Sequence, residues 1–160
     1  METKVILLVE DNADDEALTL RALKKNNITN SVTVVRDGAE ALDYLFGTGE
    51  YAGKALSQLP QLTLLDLKLP KVDGLEVLRR LRERQVKRIV VVCTHGLFTG
   101  KAIARLAAQP EIVEIVTTDT VPVPPEKRLP NMKVLSIAPL LADTIRRIHL
   151  GESVSELFDV

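Results

Sequence analysis

Val5-Ile6-Leu7-Leu8-Val9-Glu10-Asp11-Asn12 and Leu62-Thr63-Leu64-Leu65-Asp66 are the two stretches that decide how this chain folds. The first is an apolar run without alternation that stops at Glu10-Asp11, the pattern of a strand buried on both faces with its end in solvent, and the second is a shorter strand that ends at Asp66. Strands covered on both faces belong to parallel sheets, so the segments between them should be helical crossovers. Asn12 or Asp14 can cap a helix running to Lys25, with Ala17, Leu20, Ala22 and Leu23 as its apolar stripe. Its acids crowd the first turn and its lysines the last, as the helix dipole favours. Val32 to Val35 reads as a second strand. Asp37-Gly38 opens a helix with Ala39, Leu42, Leu45 and Phe46 at helical spacing, and residues 47–57 form a polar, glycine-containing loop.

The same alternation continues beyond Asp66. Asp73-Gly74 turns into a helix carrying Leu75, Val77, Leu78 and Leu81, and Ile89 to Cys93 is strand four. A helix from Thr99-Gly100 to Ala108 precedes strand five, Ile112 to Val116. The four prolines between Val121 and Pro130 forbid a helix there and predict an extended connection. Lys133 to Ile137 is strand six. Pro139 stands where a first-turn proline is tolerated, and the last helix runs to His149 with Gly151 as its stop. Right-handed crossovers then give an α/β, flavodoxin-like, doubly wound parallel sheet of order 2-1-3-4-5, with a sixth strand beside strand five at the edge. No 20–50-residue repeat is present.

At 160 residues the chain is one domain long, with halves 1–85 and 86–160. Hydrophobic residues make up 46% and charged residues 27%, enough apolar surface for a core and too much for a disordered chain. With 21 basic against 22 acidic side chains, net -1, nothing attracts nucleic acid or an anionic membrane. Cys93, the single cysteine, allows no internal disulfide and reads as a small buried hydrophobe. No targeting segment or spanning run is evident, so a cytoplasmic location is expected.

In a doubly wound sheet the working crevice lies at the strand C-termini near the switch point between strands one and three. Glu10, Asp11 and Asp66 converge there. Three acids at adjacent strand ends repel one another, and a divalent cation, Mg²⁺ above all, most easily explains their presence together.

The residues from Val5 to Asn12, with Leu64-Leu65-Asp66-Leu67-Lys68-Leu69-Pro70-Lys71-Val72-Asp73-Gly74, resemble the receiver domain of two-component response regulators. Residues 35–45 and the Gly47 to Gly53 loop resemble its phytochrome-associated subgroup, and the likeness covers about residues 3–84. The resemblance implies that Asp66 is the phosphoacceptor. It also implies that Glu10, Asp11, Asp66 and the backbone carbonyl of Lys68 hold Mg²⁺. Pro70, Asp73 and Gly74 would shape the following loop. Thr94 fills the switch position at the end of strand four. Strand five departs from the pattern: Val116-Thr117-Thr118-Asp119-Thr120-Val121-Pro122 lacks the Lys-Pro that would contact a phosphoryl group, and Asp119 adds a negative charge.

From about residue 86 to 158 the chain instead resembles the C-terminal part of phosphoribosyl pyrophosphate synthetases. Val92 to Gly100, Thr117 to Pro122, Lys133 to Leu141 and, most specifically, Arg146 to Phe158 carry that likeness. The family's paired acids and Asp-Thr-Gly-Gly-Thr loop should precede this segment, and the Asp66 loop stands in their place. Ser153, Val154, Ser155 and Phe158 match a regulatory nucleotide segment of that family. Without the partner residues of that site they read as a cap on the last helix. His95 has no nucleophile or orienting partner and reads as a loop residue. His149 suits a helix C-terminus.

Two families meeting near residue 85 point to an engineered chimera that joins complementary parts of two parallel sheets. The expectation is a scaffold with no catalytic residues and no small-molecule substrate. It would retain a vestigial phosphoacceptor and a weak Mg²⁺ site, and could oligomerise through the exposed edge strand. A phosphorelay receiver is the alternative.

Overall fold

The computed structural model describes residues 4–53, 59–83 and 87–157. The strands and helices follow in alternation: β1 (Ile6–Val9), α1 (Ala13–Lys25), β2 (Val32–Val35), α2 (Gly38–Phe46), β3 (Leu62–Leu65), α3 (Gly74–Glu83), β4 (Ile89–His95), α4 (Ala102–Ala107), β5 (Ile112–Thr118), β6 (Met132–Leu135) and α5 (Ala138–Leu150). The chain divides into two compact units, Met1–Gln85 and Val86–Val160. The junction residues 84–86 and the loop residues 54–58 lie outside the described residues.

In the first unit β1 is the central strand of a parallel sheet of order β2-β1-β3. Its register sets Ile6 opposite Val32 and Leu62, and Val9 opposite Val35 and Leu65. All four β1 residues are buried, as its unalternating apolar run requires. Leu7, Val9 and Val35 form a core with Ala41 and Tyr44 of α2 and with Leu69. Asn12, not Asp14, caps α1: its side chain accepts from the Asp14 N–H at 2.8 Å and the Asp15 N–H at 3.3 Å. The expected α1 stripe is only partly covered; Leu20 and Leu23 are half-buried, whereas Ala17 and Ala22 are exposed.

The second unit is a parallel sheet of order β4-β5-β6. One face packs Ile115, Phe98 and Val123 against Ile103 and Leu106 of α4. Cys93 joins that cluster half-buried, less covered than expected. The connection from Val121 to Pro130 is extended apart from one 3-10 turn at Pro125–Lys127. β4 and β5 each run two residues past the expected ends, reaching His95 and Thr118.

The α/β parallel architecture and the partial orders 2-1-3 and 4-5-6 are those expected. Within the first unit the order is β2-β1-β3 and within the second β4-β5-β6. Each is built around a central strand, β1 or β5, whose both edges are paired. A strand pattern reports burial but not which neighbour fills a sheet edge. Among the described residues no helix is long and apolar enough to cross a membrane.

Candidate functional site

Parallel register sets the acids side by side. With Val9 opposite Leu65, the residues that follow each strand emerge at the same edge. The ladder is extended by the Asp66 N–H donating to the Val9 carbonyl and the Glu10 N–H to the Val35 carbonyl, both at 3.1 Å. Asp11 follows on the same turn. One carboxylate oxygen from each of Glu10, Asp11 and Asp66 lies within 4.8 Å of the others, Asp11 exposed and the other two half-buried. Burial pushes the Glu10 carboxyl above its ordinary value. The charges of Asp66, Asp15 and Asp11 act in the same direction, while the Asn12 N–H, donating to Glu10 Oε1 at 3.1 Å, partly opposes them.

The donor set is all hard oxygen: three carboxylates, with the backbone of Lys68 two residues beyond Asp66. That chemistry fits Mg²⁺, Mn²⁺ or Ca²⁺ and not a soft metal. Asp66 Oδ1 accepts from the Leu67 N–H at 2.7 Å, which fixes the carboxylate's orientation at the head of the loop.

The loop from Leu67 to Asp73 is held at several points. Leu69 is buried in the core of the first unit. The Pro70 carbonyl accepts from the Val72 N–H at 2.8 Å and the Gly38 N–H at 3.4 Å. The Gly74 N–H returns to the Leu67 carbonyl at 3.1 Å, and Asp73 caps α3 by accepting from the Glu76 N–H at 2.8 Å. Gly74 is required by close approach: a Cβ there would lie 2.3 Å from the Asp66 carbonyl oxygen. Lys71, with φ 63°, places its ammonium 2.5 Å from Asp37 Oδ2. The Asp37–Lys71 pair has no signature in the sequence, since the two residues are 34 positions apart and each reads locally as a turn residue.

The remaining candidates belong to the second unit. Thr94 is the penultimate residue of β4, and its carbonyl accepts from the Thr118 hydroxyl at 2.7 Å and the Thr120 hydroxyl at 2.9 Å. His95 ends the strand, where a loop residue was expected. It stays exposed, with Nδ1 2.8 Å from Thr120 Oγ1. Asp119 joins strand ends: its N–H donates to the Leu135 carbonyl at 3.0 Å, and its Oδ1 accepts from the Ile137 N–H at 2.9 Å. The Ser136 hydroxyl and that N–H hold its carboxyl below the ordinary range. Gly151, left-handed at φ 70°, stops α5, and His149 lies in the last turn. Ser153 Oγ accepts from the Ser155 N–H at 3.2 Å, and its carbonyl accepts from Arg147 at 2.9 Å, so it fastens the following turn to α5. Phe158 lies outside the described residues.

Comparison with known proteins finds two kinds of relative. The family of the phosphoribosyl synthetase-associated domain matches residues 66–159. A ribose-phosphate pyrophosphokinase of Rhodopirellula baltica is 52% identical over 80 residues, 50% of this chain and 25% of that protein. The chain thus spans about a quarter of the length of the curated pyrophosphokinases it matches. The response regulator Rcp1 of Synechocystis sp. is 46% identical over 90 residues, 56% of this chain and 59% of Rcp1. Among solved structures, the bacteriophytochrome response regulator RtBRR aligns with a TM-score of 0.58 and 37% identity, covering 78% of this chain and 72% of that one.

Proposed function

The chain belongs to the family of the phosphoribosyl synthetase-associated domain and, over the rest of its length, to the response-regulator receivers; on that premise we propose that it is an engineered chimera, a flavodoxin-like scaffold without the catalysis of either parent. In this reading the halves 1–85 and 86–160 act as one domain, and the receiver part keeps a divalent-cation and phosphoacceptor site. The observation that carries the site is the convergence of Glu10, Asp11 and Asp66, delivered by two separate strand ends.

In the transfer this site supports, an Asp66 carboxylate oxygen attacks the phosphorus of acetyl phosphate, the bond from phosphorus to the acetyl oxygen breaks, and acetate leaves with the electron pair. A cation bound by Glu10, Asp11, Asp66 and the Lys68 carbonyl would offset charge on the phosphoryl oxygens. Thr94 would be the hydroxyl that senses the product. Thr117-Thr118-Asp119 offers no ammonium to the incoming anion, so the reaction is slow.

Intact-mass measurement with Mg²⁺ and acetyl phosphate tests this. Slow, substoichiometric addition of one phosphoryl group is expected, lost in Asp66→Asn. Addition that survives in Asp66→Asn refutes the site, and rapid stoichiometric addition refutes the impairment. No AMP is expected from ATP and ribose 5-phosphate, because the Asp66 loop stands where the sugar-phosphate loop would precede β4. Ribose-5-phosphate-dependent AMP formation by protein free of synthetase would refute the scaffold reading.

The rival reading, a phosphorelay receiver, is favoured by the intact acid cluster, and it requires rapid labelling coupled to a change at Thr94. As partners we propose neither nucleic acid, membrane nor small molecule, with a cytoplasmic setting. Association would run through β6, which among the described residues is the outer strand of the order β4-β5-β6, and light scattering over a concentration series reads it.

A further inference from the structure

We propose that Lys71 is a positioning residue for the acidic site, acting through Asp37 to hold the Asp66 loop in the shape that offers the Lys68 carbonyl to a divalent cation; this rests on the cation-site reading above.

The loop touches the start of α2 at two consecutive residues. The Gly38 N–H donates to the Pro70 carbonyl at 3.4 Å, and the Lys71 ammonium sits 2.5 Å from Asp37 Oδ2. Contact at Gly38 is so close that a Cβ there would lie 1.8 Å from the Val72 carbonyl oxygen. Asp37 is itself fixed, because its other oxygen, Oδ1, caps α2 by accepting from the Glu40 N–H at 2.8 Å. Its side chain is 13% exposed, against 68% for that of Lys71, so the lysine reaches in from solvent to a rigid anchor. Lys71 also adopts φ 63°, a left-handed conformation that residues with a Cβ avoid unless their surroundings impose it. An ion pair on one side and the Gly38 contact on the other supply that imposition. Lys68 lies between Asp66, anchored by the Leu67 N–H, and Leu69, anchored in the core. Its carbonyl belongs to the same short loop as Pro70, Lys71 and Val72, whose path the Asp37 and Gly38 contacts hold.

Removing a positive charge from the first unit should leave cation binding unchanged or tighter if Lys71 acts only through its field. If it positions the loop, removal should weaken binding instead. The experiment is titration of the full chain with Mn²⁺ alone, followed by calorimetry at constant ionic strength, for the parent, Lys71→Met and Lys71→Arg. Thermal melts without metal monitor folding. The expected result is a dissociation constant raised about threefold to tenfold in Lys71→Met, with most of the affinity restored in Lys71→Arg. Unchanged or tighter binding in Lys71→Met overturns the proposal while leaving the cation site standing. No binding by the parent overturns the cation site itself. Should Lys71→Met melt well below the parent, Lys71→Gly, which also relieves the left-handed strain, replaces it, and parent-like affinity in that variant overturns the proposal.

Discussion

Glu10 stands at the intersection of two opposing demands, since the ladder that buries it also brings three other acids within range of its charge. Its carboxyl is pushed above the ordinary value of 4.5, so the folded state binds the proton more tightly than the unfolded chain does. The stabilisation linked to that proton is complete below the unfolded value and is lost as pH rises through the raised folded value. Glu10→Gln imitates the protonated form and keeps an oxygen for the Asn12 N–H. Without metal it should melt about 1–3 °C above the parent at pH 7, a gap that closes as pH is lowered toward 4. Melts across that range check both the sign and the closing. A variant that melts below the parent at pH 7 would show that the acids do not strain one another.

At the scale of elements, Asp37 joins a helix cap to a loop anchor. Asp37→Ala removes the acceptor for the Glu40 N–H and should cost about 1–2 kcal/mol in denaturant unfolding. Asp37→Asn keeps the cap and loses only the charge opposite Lys71, so its cost should be well under half of that. The Lys71 hydrogen bond, with help from the Glu40 N–H, holds the Asp37 carboxyl below its ordinary 3.8. Its linked stability is therefore present above that value and is lost as pH falls through the lowered one. Equal destabilisation by the two substitutions would show that the pair with Lys71, and not the cap, carries the effect.

For the whole molecule, the prediction concerns metal and folding together. If the acidic site binds Mg²⁺ with a dissociation constant on the order of 1 mM, then about 10 mM Mg²⁺ adds roughly 1.4 kcal/mol and raises the melting temperature by roughly 3–6 °C. Asp11→Asn should abolish that shift. Equal shifts in parent and variant, at constant ionic strength, would reduce the cluster to a solvated acidic rim. The acids belong to the first unit, Met1–Gln85, and on the proposed one-domain reading the metal shift should appear in a single transition.

Local chemistry was legible in the sequence where it is written within a few residues. The unalternating run at β1, the acids at two strand ends, the caps at Asn12 and Asp37 and the glycine stop at Gly151 all follow from propensities and hydrogen-bonding needs that act over one turn or one strand. The convergence of Glu10, Asp11 and Asp66 was legible too, because parallel register carries a strand's end to a known edge. Two features depended on the tertiary structure: the half-exposed setting of Cys93 and the Lys71–Asp37 pair that ties the acidic loop to α2. Each depends on which distant segments cover a face or meet across a turn, and residue type records the need for a partner without recording which partner meets it.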